Sequence, residues 1–351
     1  MSEALTSSGR RAGGRGVVGA LSAIAIDIKL AHSVFALPFA VLGAFLARTP
    51  MVAGDAPVLA GPVGGAGSAG ASGGAWGGTS GREWWEFLGK LGLVVACMVL
   101  ARTWAMLVNR LADRRLDAEN ERTKRRAFAS GRAGPLLGWG LAAACAAGFG
   151  GVCYLFLVLY ANPWPLYLGG IVLAWLALYS YTKRFTAACH LVLGVSLAMS
   201  PIAAAIAVRP EALLATPTLW WLAGFVALWV AGFDIVYAIQ DEAFDRARGL
   251  FSIPAAIGAH GAVWAARMLH GMSMVALLAA WTSDVRLGWL TAFGVLAVFG
   301  LLLIEHMVLW RSARGEGATP RLHAFFFTLN GVVSVAIGAA GCADLLAKPI
   351  G

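Results

Sequence analysis

The sequence carries little charge, and this scarcity excludes a water-soluble domain. Asp, Glu, Lys and Arg make up 13% of its 351 residues, hydrophobic residues make up 59%, and the mean hydropathy is +0.74. Its apolar runs are long and continuous enough for helices of about 20 residues, the length that crosses the roughly 30 Å hydrocarbon layer of a bilayer. We therefore predict an all-α, polytopic membrane protein.

Cysteine is also scarce, and its placement excludes two kinds of covalent or metal framework. The five cysteines fall in apolar runs, and none forms a CxxC pair. Neither a disulfide framework nor a zinc site is therefore predicted. We interpret these residues as small side chains of the bundle core. They are Cys97, Cys145, Cys153, Cys189 and Cys342.

The apolar runs predict nine transmembrane spans in one domain, residues 22–346. A cytoplasmic tail, 1–21, precedes this domain, and an external tail, 347–351, follows it. Residues 50–82 are rich in Gly and Ala, and we interpret them as a flexible external loop. The spans lie at about 22–47, 86–110, 135–160, 164–182, 187–208, 217–240, 261–283, 287–310 and 323–346.

Lys and Arg are unevenly distributed between the two sides of these spans. With the N-terminus in the cytoplasm, eighteen of them lie in inside segments and five in outside segments. The positive-inside rule therefore supports this orientation. The net charge of +9 belongs mostly to the cytoplasmic loops, which favour anionic lipid or an anionic substrate and require no nucleic-acid partner.

One concentration of charge lies at the cytoplasmic loop 111–134. The stretch "NRLADRRLDAENERTKRR" places Asn109, Asp113 and Asp117 at four-residue intervals. Residues at i and i+4 share one face of a helix, so these three form a polar stripe. The alternative interpretation is an ordinary helix end whose carboxylates pair with neighbouring arginines.

The other concentration lies at the cytoplasmic loop 241–260. In "FDIVYAIQDEAFDRARGLFSIP", Asp234, Tyr237, Asp241 and Asp245 follow at intervals of three and four, so they also share a face. Both stripes end spans that run towards the cytoplasm, and opposed carboxylates destabilise each other unless something lies between them. Oxygen ligands suit Mg²⁺, whose coordination is usually completed by substrate phosphates. The pattern predicts a magnesium–diphosphate site.

Basic residues near the stripes are candidate phosphate contacts. The fourth span ends in "LALYSYTKRFT", where Tyr179 and Lys183 lie one helical turn apart. Lys183 is predicted to hold a diphosphate oxygen, and the alternative is a charge that only sets topology. Arg122 and Arg126 repeat the four-residue spacing, and their guanidinium groups match phosphate oxygens.

Polar residues inside apolar spans are candidate acceptor contacts, because such residues are costly in a membrane. For the histidines among them, the alternative is a hydrogen-bonded role in helix packing. Asp234 is a candidate to orient the acceptor or to take its proton. The acceptor candidates are Lys29, His32, Arg102 and His190, and we interpret His260, His270, His306 and His323 as interfacial.

The chain from about residue 24 to 345 resembles the UbiA superfamily of intramembrane aromatic prenyltransferases. "NRLADRRLD" matches the family's first motif, "YAIQDEAFDRARGLFSIP" matches the second, and "YSYTK" is similar to its Tyr-x-x-x-Lys element. "HSVFALPFA" and "HLVLG" look most like the 4-hydroxybenzoate polyprenyltransferase-like branch. Within that branch, the resemblance is strongest to futalosine-pathway menaquinone relatives that prenylate a dihydroxynaphthoate.

This resemblance implies a nine-helix bundle around a central cavity open to the cytoplasmic side of a bacterial-type inner membrane. It implies a polyprenyl diphosphate donor, an acceptor of the 4-hydroxybenzoate or 1,4-dihydroxy-6-naphthoate type, and a place in ubiquinone or menaquinone biosynthesis. No obligate protein partner is implied. The implied Mg²⁺ ligands are Asn109, Asp113, Asp117, Asp241 and Asp245. The implied catalytic residues are Asp113, Asp117, Asp241, Asp245, Lys183 and Asp234. The implied substrate contacts are Arg122, Arg126, Tyr179, Tyr237, His32, Arg102 and His190.

Two other functional classes are alternatives. Another lipid-diphosphate membrane transferase also uses Asp pairs with Mg²⁺, although such enzymes usually gather their ligands in one motif. A transporter is the less favoured alternative, because it is expected to carry charges near the bilayer midplane and broken helices in both halves of the chain. Here the acidic stripes lie at helix ends on one side.

Overall fold

The computed structural model describes residues 12–28, 35–48, 81–313 and 322–347. Within these ranges every regular element is helical and no strand occurs, which confirms the predicted all-α class. A 3-10 turn, Ile239–Asp241, joins the ninth and tenth helices. The helices are α1 (Ala12–Ile28), α2 (Leu37–Arg48), α3 (Gly81–Ala112), α4 (Arg114–Glu119), α5 (Pro135–Tyr160), α6 (Trp164–Thr182), α7 (Cys189–Val208), α8 (Ala212–Ala215), α9 (Thr218–Ala238), α10 (Glu242–Ala247), α11 (Ile253–Thr282), α12 (Trp289–Ala313) and α13 (Leu322–Ala347).

Eight helices in the described part of the chain are long and apolar enough to cross a membrane. They correspond to the second to ninth predicted spans, and α5 and α6 have the predicted bounds. The first predicted span, 22–47, overlaps α1 and α2, and residues 29–34 between them lie outside the described residues. The total of nine spans therefore stays a prediction.

Helix α9 lies at the centre of the bundle, between α7 and α11. It carries a row of aromatic rings that pack against each other. Phe225, Trp229 and Phe233 follow at four-residue intervals and therefore share one face of α9. The centroids of Phe225 and Trp229 are 5.8 Å apart, and those of Trp229 and Phe233 are 5.2 Å apart. Phe39 of α2 packs edge-on against Trp229 at 5.8 Å. This packing fixes the helix that carries the second acidic stripe.

Small residues let the central helices approach closely. A Cβ added to Gly194 of α7 would overlap the backbone oxygen of Ala227 in α9, and one added to Gly43 of α2 would overlap the backbone of Pro201 in α7. Membrane helices commonly associate through such small residues, because close packing contributes much of their association energy. The contact at Gly194 holds α7 against the middle of α9.

A buried polar network joins α9, α11, α12 and α13. The indole Nε1 of Trp229 donates to Asn330 Oδ1 at 2.8 Å, and the Trp229 carbonyl lies 3.2 Å from His270 Nε2. His270 Nδ1 lies 3.0 Å from His306 Nε2. Because His270 is only 2% exposed, its interpretation as interfacial is wrong. Its helix face packs inward, and these partners satisfy its ring.

The acidic stripe at the end of α3 keeps helical spacing beyond that helix. The amide of Asp113 donates to the carbonyl of Asn109 at 3.0 Å, and the amide of Asp117 donates to the carbonyl of Asp113 at 2.8 Å. Asp113 sits at the junction of α3 and α4. The three stripe residues therefore share one face even though the junction interrupts the regular helix.

Much of the predicted loop at 241–260 is helical. Helix α10 closes at Gly249, whose φ of 64° lies in the left-handed region that glycine adopts without strain. The Leu250 amide donates to the Asp245 carbonyl at 2.8 Å, as in a Schellman motif. Helix α11 then begins at Ile253, where the side chain of Ser252 caps it. The loop between α10 and α11 is therefore short and constrained.

Candidate active site

A cavity of about 340 Å³ lies where α3, α6 and α9 end. The segments that follow α3 and α9 complete its wall, so the two acidic stripes face the same space. Most residues predicted from the sequence as site residues line it. They are Asn109, Asp113, Asp117, Arg122, Arg126, Tyr179, Lys183, His190, Asp234, Tyr237, Asp241 and Asp245.

One predicted substrate contact, Arg102, does not line this wall. Arg102 precedes Asn109 on α3 by two helical turns, about 10 Å along the axis at 1.5 Å per residue. It is partly buried, and its Nε has no hydrogen-bond partner among the described residues. His32 lies outside the described residues. Arg102 therefore lies deeper in the bundle than the residues of the cavity wall.

The carboxylates of the first stripe are buried and paired with basic side chains. Asp113 Oδ2 accepts from Lys183 Nζ at 2.6 Å, and Asp113 Oδ1 accepts from Arg184 Nη2 at 2.9 Å. Both oxygens of Asp117 accept from Arg126 Nη1, at 2.8 and 2.9 Å. A buried carboxylate requires such partners. They come from the end of α6 and from the loop after α4, rather than from the arginines beside each aspartate.

In the second stripe, Asp241 is paired with residues of the loop that follows the first stripe. Arg122 donates to both oxygens of Asp241, from Nε to Oδ1 at 3.0 Å and from Nη2 to Oδ2. Asn120 Nδ2 also donates to Asp241 Oδ1, at 3.1 Å. A guanidinium fork on a carboxylate is geometrically specific. These contacts join the two charged segments of the sequence directly.

The loop after α10 is anchored to the end of α6. The Phe251 amide donates to the carbonyl of Lys183 at 2.7 Å. The preceding residue, Leu250, ends α10 through its hydrogen bond to the carbonyl of Asp245. The two bonds hold Asp245 and Lys183 on the same cavity wall.

His190 and Asp234 join the start of α7 to α9. His190 Nδ1 lies 2.7 Å from Asp234 Oδ2, and His190 Nε2 accepts from the Ile253 amide at 3.3 Å. Because Nε2 accepts a hydrogen bond, Nδ1 carries the ring proton and donates it to Asp234. Both ring nitrogens thus have protein partners, which favours the packing alternative for His190 over direct acceptor contact.

Two polar residues of the site were missed by the sequence analysis. Arg184 contacts Asp113 and also donates to the carbonyls of Ser180 at 3.0 Å and Ala112 at 2.9 Å. In the sequence it was only one of the eighteen Lys and Arg of the inside segments. Asn120 lies three residues after Asp117 and therefore continues the first stripe, a signal that helical spacing offered.

The donor atoms around the cavity fit a divalent cation that is shared with phosphate. Within the described ranges no group of three or more His, Cys, Asp and Glu side chains is placed to hold an ion by itself. The acidic residues of the two stripes instead line one cavity together, and Asn109 lines it as well. Mg²⁺ is usually bound by one or two carboxylates together with water and phosphate oxygens, and this donor set suits that mode.

Comparison with known proteins places this architecture in a family. The model of the UbiA prenyltransferase family matches residues 68–331. The 4-hydroxybenzoate octaprenyltransferase of Shewanella woodyi is 27% identical over 239 residues, which are 67% of this chain and 77% of that protein.

Solved structures share the fold. The apo structure of a UbiA homolog from Aeropyrum pernix K1 has a TM-score of 0.70 and 28% identity, and the match covers 89% of this chain and 97% of that one. A UbiA homolog from Archaeoglobus fulgidus, bound to GPP and Mg²⁺, has a TM-score of 0.56 and 16% identity, covering 92% and 99%. The latter is a likeness of fold.

The family match extends over well more than half of the chain and includes both acidic stripes. The resemblance seen in the sequence motifs is thereby confirmed. The apolar helices agree with a protein that is integral to the membrane. The chain therefore belongs to the UbiA prenyltransferase family and is an integral membrane prenyltransferase.

Proposed function

We propose that the protein transfers a polyprenyl group from polyprenyl diphosphate to a ring carbon of a hydroxylated aromatic acid, with Mg²⁺ as its cofactor. One observation carries this proposal. Two carboxylate pairs from distant parts of the sequence line one cavity together with Arg122, Arg126 and Lys183. A diphosphate leaving group with its metal requires both kinds of charge, and the Archaeoglobus fulgidus homolog binds GPP and Mg²⁺.

In this proposal, the carboxylate and amide oxygens of the cavity wall bind the metal. When bound, Mg²⁺ supplies positive charge that neutralises the diphosphate and makes it a better leaving group. The residues that would hold it are Asn109, Asp113, Asp117, Asp241 and Asp245.

The basic residues act on the diphosphate itself. Lys183, Arg122 and Arg126 donate hydrogen bonds to its oxygens and stabilise the negative charge that develops as the allylic C–O bond breaks. Tyr179 lies beside them in the wall. The apolar spans hold the prenyl tail away from water.

Asp234 and Tyr237 also line the cavity, and we assign them to the acceptor. The ring carbon of the acceptor attacks the allylic cation, and the ring then loses a proton. We assign Asp234 to orient the acceptor or to receive that proton, because it is 31% exposed at the cavity and already held by His190. Tyr237 lies one helical turn further along the same face.

The curated relative favours 4-hydroxybenzoate as the acceptor, and the motif resemblance offers a 1,4-dihydroxy-6-naphthoate type as the alternative. The product would belong to ubiquinone or menaquinone biosynthesis accordingly. We further propose nine spans in a bacterial-type inner membrane, with the cavity open to the cytoplasm. The bias of Lys and Arg towards the inside segments supports this orientation.

Prenyl transfer by membranes that contain the protein tests the proposal. Geranyl diphosphate and longer isoprenyl diphosphates are offered with a panel of aromatic acids, with Mg²⁺ or with EDTA. We expect product only with Mg²⁺, and loss of product in Asp113→Ala and Asp241→Ala. Glu121→Ala is the matched control. Glu121 lies in the segment 111–134, as Asp113 does, but its side chain is 87% exposed and does not line the cavity. Full activity in EDTA, or in either aspartate variant, would refute the magnesium site.

A further inference from the structure

In this cavity the groups proposed to bind the metal and the groups proposed to bind diphosphate are already bound to each other. Each of the three basic residues assigned to the diphosphate makes an ion pair with a carboxylate assigned to Mg²⁺. In Asp117 and Asp241, both carboxylate oxygens accept hydrogen bonds from the paired arginine. In Asp113, one oxygen accepts from Lys183 and the other accepts from Arg184. The three pairs are Arg122–Asp241, Arg126–Asp117 and Lys183–Asp113.

The charges that line the cavity nearly balance. Five carboxylates and four basic side chains contribute to its wall. A cation that enters alone competes with basic residues for the carboxylates, and an anion that enters alone competes with carboxylates for the basic residues. Either event leaves charged groups without partners in a partly buried site, which is costly. A cation and an anion that enter together supply a new partner for every group they release.

We infer that the cavity is selective for magnesium and diphosphate as a pair and discriminates against either ion alone. Arg122, Arg126 and Lys183 exchange their carboxylates for phosphate oxygens as the metal takes the carboxylates. This inference rests on the proposed function, because it assumes that both ions bind in this cavity. It adds a second role to the basic residues, since they set which ligand is accepted.

Exposure and hydrogen bonding indicate which basic residues exchange and which one stays. The Arg122 side chain is 43% exposed, so it can turn away from Asp241 into solvent or towards a ligand. Arg184 is held differently, because its guanidinium also donates to two backbone carbonyls. Arg184 is therefore a positioning residue that keeps Asp113 oriented while Lys183 leaves it.

Calorimetric titration of the purified protein tests the exchange by comparing Arg122→Gln with Arg125→Gln. Arg125 lies in the same loop, is exposed and is absent from the cavity wall, so its substitution removes the same charge without freeing a carboxylate. One titration uses Mg²⁺ alone, and the other uses inorganic pyrophosphate at a fixed excess of Mg²⁺.

Loss of the Arg122 fork should have opposite effects on the two ligands. We expect Arg122→Gln to bind Mg²⁺ alone about fivefold more tightly than Arg125→Gln does, because Asp241 is released from a bidentate ion pair. We expect it to bind pyrophosphate with Mg²⁺ about fivefold more weakly, because a phosphate contact is lost. Equal affinities for Mg²⁺ alone in the two variants would overturn the inference, as would weaker binding of both ligands by Arg122→Gln.

A second variant covers the case in which Arg122→Gln does not fold. Arg122→Lys keeps the charge but replaces the fork by a single contact, so Mg²⁺ alone should bind more tightly than in the wild type while pyrophosphate binding is largely kept. Unchanged Mg²⁺ affinity would overturn the inference. Failure of the proposed function is seen separately, because the wild-type protein would then show no magnesium-dependent pyrophosphate binding at all.

Discussion

Two substitutions of His190 each remove a different one of its two hydrogen bonds. Together they test whether His190 contributes to helix packing or contacts the aromatic acceptor. An asparagine amide nitrogen can occupy the place of Nδ1, so His190→Asn keeps a donor for Asp234 and loses the acceptor for the Ile253 amide. A glutamine amide oxygen can occupy the place of Nε2, so His190→Gln keeps that acceptor and loses the donor. The wild-type distances are 2.7 Å to Asp234 and 3.3 Å to Ile253.

The expected magnitude follows from the burial of this pair. The His190 side chain is 3% exposed and the Asp234 side chain is 31% exposed, so each variant removes a hydrogen bond that is largely shielded from water. Loss of one such hydrogen bond costs about 1–2 kcal/mol. The apparent Tm should then fall by roughly 2–4 °C for each kcal/mol. His260→Gln, at an exposed histidine of α11, should leave the apparent Tm unchanged.

Kinetics distinguish the two roles. If Asp234 must be held by His190 to act on the acceptor, His190→Gln lowers kcat more than His190→Asn does, and the KM for the acceptor changes little. Thermal unfolding in detergent and steady-state rates with 4-hydroxybenzoate measure both quantities. Variants that keep wild-type stability but raise the KM for the acceptor equally would refute this reasoning, since that result means direct contact between His190 and the acceptor.

Three further substitutions test the packing around the site by thermal unfolding. Gly194→Ala should destabilise the protein by about 1–3 kcal/mol, because the added methyl overlaps a backbone oxygen of α9, whereas Gly170→Ala meets open space and should not destabilise it. Gly249→Ala should cost about 1 kcal/mol, because alanine at a φ of 64° is strained, and it should raise the KM for the prenyl diphosphate through displacement of the loop after α10. Trp229→Phe keeps an aromatic ring but removes the donor to Asn330, so a loss of about 1–2 kcal/mol is expected. A wild-type apparent Tm in any of these three variants would contradict the corresponding contact.

Local patterns in the sequence were sufficient for the helices and for the composition of the site. Apolar length predicted the spans, because a helix that crosses lipid must satisfy its backbone internally and present apolar side chains outward. Helical spacing predicted that Asn109, Asp113 and Asp117 share a face, and the structure places them together in one wall. The same spacing extends to Asn120, which was overlooked.

Long-range pairing was not accessible in the same way. Arg122 and Asp241 are separated by 119 residues, and no periodicity relates them. Arg184 looked like a topological charge, yet it holds Asp113 and two carbonyls at the junction of α3 and α6. His270 looked interfacial from its sequence neighbours, whereas packing of its helix face against α9 buries it.

The sequence by itself determined the class of the protein, the approximate spans and the chemical groups available for a metal and a diphosphate. These properties depend on composition and on spacing along one helix, which are local. Only the tertiary structure decided which carboxylate faces which basic residue and that both nitrogens of His190 are occupied. Those contacts depend on how closely α7 and α9 approach and on where α3, α6 and α10 end relative to each other. Such relations arise from packing between helices, and the order of residues within any one helix does not encode them.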